Sequence, residues 1–271
     1  MGIARGEEVY NADVLPVLAR GMTLTQEELE AARADRLPGI LADTLGHEHL
    51  EEFYSGLELT EFDQENIAEA LAPIPEDDHS RGWREGEALA EAWLTGHKEC
   101  DFPWPFNRDL RHHRASLPGA ELVGFTGADA DPRFAFGQVK TSKEAQYPPQ
   151  VVNHGEKSLI NQALQLRDDL NIKKTLVNYL LQRAMLDHGL VERAKIAATR
   201  WLQSSFTDIA IFGVLVRDVA HSRDDLAQAA MRLSQNRQSA TRIEFYALYL
   251  PEGSIPEGPQ HRPRQSRRRQ Q

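Results

Sequence analysis

Beyond residue 80 the chain alternates between extended segments and stretches of helical period, and that order most limits the folds open to it. Arg84 to Thr95 reads as a helix, with Leu89 and Trp93 four apart and Gly96 closing it. Two extended segments follow, Glu121 to Thr126 and Arg133 to Thr141, joined by GADADP, whose Gly, Asp and Pro residues suit a hairpin connection. About fifty residues then hold apolar side chains at helical spacing: Leu159, Ala163, Leu166 and Leu170, then Ile172, Leu176, Leu180 and Ala184, then Ala194 to Leu202. The strand DIAIFGVLV, a helix from Arg223 to Leu233 and a last strand IEFYALYL complete the order. Helix, hairpin, helices, strand, helix, strand predicts an α/β fold with a mixed central sheet flanked by helices.

Ahead of this region, Thr25 to about Leu71 is helical in pattern, with Gln26, Glu27 and Glu28 following a Thr cap and interruptions at Pro38-Gly39 and Gly56. PIPEDD, near residues 73 to 78, breaks the chain. The expected organisation is an N-terminal helical section over 1–80, a chemical core over 81–250 and a basic, Pro/Arg-rich tail over 251–271 with the composition of a disordered terminus.

No run of eighteen apolar residues occurs, and Met1 to Asn11 has charges and no apolar h-region, which argues against a membrane span and a secretory signal. A cytoplasmic protein is expected. The single cysteine, Cys100, can form neither an internal disulfide nor a Cys-rich zinc site, so any metal would be held by oxygen or histidine. Residues 251–271 hold five Arg against Glu252 and Glu257, a net +3, and the total of -10 leaves -13 for residues 1–250. An acidic body repels phosphate backbones, so DNA would have to be delivered by a partner.

Several short motifs fail on inspection. HEHLEE at 47–52 has Glu51 where HExxH requires His. His112 and His113 are adjacent, point in different directions and lack a third ligand. HGEKS at 154–158 lacks the phosphate-loop frame and follows Pro148-Pro149 in place of a buried strand. GxSxG and GxGxxG are absent, which weakens serine hydrolase and dinucleotide readings.

The constellation that carries chemistry lies on the hairpin. Phe134, Phe136, Gln138 and Lys140 are spaced by two and share one strand face, with Ala135, Gly137 and Val139 on the other. The connection through GADADP can bring Glu121 beside Gln138 and Lys140. A carboxylate and an ammonium at the end of apolar strands must compensate each other, so a simple buried Glu–Lys pair is the bland alternative to a reactive site.

The phrase PGAELVGF, eleven residues, then GQVKTS, resembles the core of the PD-(D/E)XK nuclease superfamily, in which an acid on one strand precedes an acid-x-Lys on the next. The resemblance spans roughly residues 81 to 250. With KTS and a Pro-Pro loop after the lysine, the chain is similar more narrowly to the nuclease subunit of the Hachiman anti-phage defence system, which works with a separate helicase subunit. The resemblance implies a restriction-endonuclease-like core and a DNA nuclease dependent on Mg²⁺ or Mn²⁺. It makes Glu121 the central metal ligand, Gln138 a second, the Val139 carbonyl a third, and Lys140 the group that orients or polarises the attacking water. Glu87 on the preceding helix would hold a metal-bound water or a second ion, with Glu91 as the spare. Hard cations demand such oxygen ligands.

Gln138 departs from the pattern, which expects an acid there. An amide oxygen can coordinate Mg²⁺ but is uncharged, so metal affinity and water activation should both fall. Three explanations compete: a naturally weak variant, a degenerate domain that only binds, and an acid-to-amide substitution that traps substrate. The competing function is a non-catalytic module of the same lineage that docks a partner or recognises DNA structure; a purely structural α/β protein is the third reading.

Overall fold

Seven strands form one mixed sheet in the computed structural model, which describes residues 3–42, 52–54, 78–103, 119–235 and 240–255. Across the sheet the order is β1 (Glu7–Asn11), β2 (Leu18–Thr23), β7 (Arg242–Tyr249), β6 (Ile209–Arg217), β5 (Arg133–Ser142), β4 (Leu122–Thr126) and β3 (Cys100–Asp101). β2, β7, β6 and β5 run parallel, while β1 at one edge and β4 and β3 at the other pair antiparallel. The expected α/β class with a mixed sheet is present. Among the described residues no helix is long and apolar enough to cross a membrane.

Helices cover both faces, which is why β6, IAIFGVLVR, is buried along its whole length. On one face Phe134, Phe136, Ile211, Leu215 and Phe245 pack with α4 (Gln150–Asn153), α5 (Leu159–Asp168), α6 (Leu170–Ala184), α7 (Val191–Gln203) and α8 (Asp224–Ser234). On the other, Ala135, Val139, Phe212, Val214 and Tyr246 pack with α1 (Gln26–Asp35), α2 (Leu37–Ala42) and α3 (Asp78–His97). The period-two split of β5 is therefore as the sequence predicts. Each fully buried phenyl ring contributes roughly 1.5–3 kcal/mol, so the Phe134, Phe136, Phe212 and Phe245 positions fix which way β5, β6 and β7 face.

The N-terminal section, read as helical over 1–80, also contributes strands. Residues 7–11 and 18–23 are strands of the same sheet as the core. LARGMT, with Arg20 and Gly21 at its centre, has no alternating apolar pattern; it is extended because β7 offers a parallel edge, in register from Leu18↔Glu244 to Thr23↔Tyr249. The Tyr10 ring lies where a side chain at Gly21 would stand. Thr25 caps α1 as expected: its hydroxyl accepts from the Glu28 N–H at 3.2 Å and the Glu28 carboxylate accepts from the Thr25 N–H at 2.8 Å. α3 starts at Asp78, a turn and a half earlier than read from the apolar pattern. HGEKS is the turn before α5, with Ser158 as its N-cap. Residues 43–51, 55–77, His112, His113 and the basic tail beyond Ile255 lie outside the described residues.

Candidate active site

β4 pairs with β5 only from Thr126↔Arg133 to Leu122↔Gly137, whereas β5 continues beside β6 as far as Ser142. Among the described residues β5 therefore has, from residue 138 onward, a strand on one side and a notch on the other. The Glu121 N–H closes the β4 ladder on the Gly137 carbonyl at 3.0 Å, and the Glu121 side chain turns into the notch. Its Oε1 accepts from Lys140 Nζ at 2.8 Å and its Oε2 from the Val139 N–H at 3.3 Å. The N–H and C=O of a residue in a strand leave on the same side, so the Val139 carbonyl faces the notch too. Glu121 and Lys140 are 19% and 16% exposed, which shelters their pairing yet leaves both within reach of solvent and ligand.

Glu87 arrives from α3 on the opposite face. The helix rides directly on the end of β5, because a Cβ at Gly86 would collide with Thr141 Oγ1. Burial pushes the Glu87 carboxyl up from the ordinary 4.5 to about 8; the Glu121 charge raises it further, and Lys140 and Arg84 offset part of this. At neutral pH Glu87 therefore favours its protonated form. Glu91, one turn on, is also raised to about 8, by burial and then by Asp101, with Arg36 opposing. Its partners lie toward β3 and α1, so Glu87 and not Glu91 belongs to the notch. Arg84 was not singled out from the sequence, although RGWREGE sets it three residues before Glu87, a helical neighbour. Burial lowers its pKa and Glu87 raises it.

Gln138 stands apart from the other three. It is completely buried, and its Nε2 donates a short hydrogen bond to the Gly119 carbonyl instead of bonding to Glu121 or Lys140. Among the described residues its Oε1 is buried without a hydrogen-bond partner. Gly119, also not singled out from the sequence, has φ +111, and Ile172 Cγ2 and Leu176 Cδ1 close the space a Cβ would need. The structure thus brings Glu121, Val139 and Lys140 into contact, sets Glu87 electrostatically beside them and ties Gln138 to the turn that precedes Glu121.

Among the described residues no three or more His, Cys, Asp or Glu side chains converge as a metal-binding group. The oxygens on offer are the Glu121 carboxylate, the orphaned Gln138 Oε1 and the Val139 carbonyl. A buried amide oxygen left unsatisfied costs roughly 1–3 kcal/mol, so Oε1 needs a donor, a water or a cation. This all-oxygen set fits Mg²⁺ or Mn²⁺ in ligand type and is poor in charge.

The surroundings are firmly held. Arg217, fully buried, donates to both Asp225 oxygens at 2.7 Å and to the carbonyls of Glu144 and Gln146, and stacks 4.8 Å from the Tyr147 ring, fixing the Pro-Pro loop that follows Lys140. The segment after β7 is strapped to the same end of the sheet: the Ile255 N–H donates to Asp218 Oδ2 at 3.1 Å, and Lys143 Nζ donates to the Ile255 carbonyl at 2.9 Å. Ser254 and Ile255 line a small cavity with Glu85, Gly86 and Thr141. No protein-family model matches the chain, and no curated protein matches it in sequence.

Proposed function

We propose that this chain is a metal-dependent nuclease that hydrolyses DNA phosphodiesters at the Glu121–Lys140 notch, the effector of a two-component anti-phage defence complex with a helicase-like partner. The observation that carries the reading is the Glu121 carboxylate held between the Lys140 ammonium and the Val139 N–H where β4 leaves β5. An acid at the start of one strand, Gln-x-Lys on the next and a Glu on the helix packed against them support the PD-(D/E)XK resemblance.

Glu121, Gln138 Oε1 and the Val139 carbonyl would hold Mg²⁺ or Mn²⁺, which when bound lowers the pKa of water and stabilises charge on a phosphoryl group. Lys140, already hydrogen-bonded at this point, orients the attacking water and offsets the charge of the phosphate. Glu87, protonated through neutral pH, offers a hydrogen-bond donor in the notch without adding a second negative charge beside the phosphate. The net charge of -13 on residues 1–250 supports delivery of DNA by a positively lined partner.

A second reading has its own observation. Both Glu121 oxygens are already engaged by protein donors, as they would be in a non-catalytic module that docks a partner or recognises DNA structure. Mn²⁺ titration by calorimetry, with cleavage of plasmid DNA in the presence of the partner, separates the two. The nuclease reading expects Mn²⁺ binding that Glu121→Gln abolishes, together with metal-dependent cleavage. A chain that binds no divalent ion and leaves DNA intact with its partner present is the non-catalytic module.

A further inference from the structure

Gln138 occupies a position that an acid could not fill in the same way. The Gly119 carbonyl points at its side chain in a site closed to solvent, and the amide meets it with a donor. The orientation of the amide follows from this contact, because the flipped group would set its oxygen against a carbonyl oxygen. An ionised carboxylate has no donor at all, and would place two acceptors face to face where no water can separate them. Gly119 cannot move away easily: its φ of +111 and the closeness of Ile172 and Leu176 on α6 fix it. Two residues later the chain reaches Glu121, whose N–H closes on Gly137 and whose carboxylate returns to Val139 and Lys140. The β4–β5 hairpin is thus continued, beyond the end of its backbone ladder, by two side-chain links from β5: Gln138 to Gly119 and Lys140 to Glu121.

We infer that Gln138 is a positioning residue whose amide N–H latches the Gly119–Glu121 turn and so aims the Glu121 carboxylate into the notch. The inference rests on the metal-site reading only for the use of Oε1 as a ligand; the latch stands without it.

The test uses Gln138→Glu and Gln138→Met in the full chain, read by amide hydrogen exchange across residues 119–122 and at Val139, at pH 8 and pH 5. Methionine keeps the length and removes donor and charge together. Gln138→Met should exchange at least tenfold faster than the native chain in this turn, and Gln138→Glu likewise once its carboxyl is ionised at high pH, with β6 and β7 unchanged. At pH 5 the glutamate variant should regain much of its protection, because a protonated carboxyl again donates to the Gly119 carbonyl, whereas the methionine variant should not. Native-like protection of residues 119–122 in folded Gln138→Met overturns the latch. Equal behaviour of the two at both pH values overturns the donor as its basis. If Gln138→Glu does not fold at pH 8, the Gln138→Met exchange decides alone. DNA cleavage is not a readout, so failure of the nuclease reading leaves this result unaffected.

Discussion

Removing the Lys140 ammonium leaves the Glu121 carboxylate with the Val139 N–H as its remaining contact at the notch. Because Lys140 and Glu121 are only 16% and 19% exposed, Lys140→Met leaves a sheltered carboxylate short of a partner and should cost roughly 1–3 kcal/mol of stability, whereas the loss of a group acting on the water and phosphate should lower cleavage about 100-fold or more. Plasmid cleavage with Mg²⁺, beside thermal unfolding of the same protein, checks both halves; undiminished cleavage in a folded variant would refute the role given to Lys140. This much of the site was legible in the sequence, since strand parity and a hairpin suffice to bring Glu121 toward Lys140. The Gln138 contact was not, because its partner is a main-chain carbonyl whose place depends on Ile172 and Leu176 from a helix fifty residues further on.

At the scale of elements, α3 sets how the notch is closed. Gly86 lets it touch β5, so Gly86→Ala should force helix and strand apart at a cost of roughly 1–3 kcal/mol. Thr141 Oγ1 is the obstacle, and Gly86→Ala/Thr141→Ala should recover most of that loss in chemical denaturation. α3 also carries two half-buried carboxyls, each raised to about 8 from the ordinary 4.5. The folded state binds these protons more tightly than the unfolded one, so their contribution is complete below about pH 4.5 and is lost as pH rises toward 8. Glu91→Gln should therefore flatten the fall in Tm between pH 5 and pH 8 while leaving cleavage in place; an unchanged slope would mean that Glu91 is not held protonated. The apolar strands β4 to β7 were readable because burial on both faces leaves a plain signature. β1 and β2 were not, since EEVYN and LARGMT become strands only through the edge that β7 supplies.

For the whole molecule, the charge split governs its dealings with DNA. At physiological salt the isolated chain should bind duplex only weakly, and deleting residues 256–271 should weaken binding further and lower its salt dependence. Fluorescence anisotropy with labelled duplex checks this, and nanomolar binding by the tail-less chain would show a DNA site in the acidic body and remove the need for delivery. The α/β class followed from the order of elements, but the joining of the first strands to the last did not, because sequence periodicity carries no record of which distant edges meet. That joining sets a timetable. The Tyr10 and Tyr249 hydroxyls lie 3.2 Å apart in space and 239 residues apart along the chain. At synthesis rates of ~5–20 residues per second, β2 waits roughly 10–50 s on the ribosome before its parallel neighbour exists. Throughout that interval the nascent chain displays an unsealed strand, and protection by a chaperone competes with pairing between neighbouring ribosomes' products.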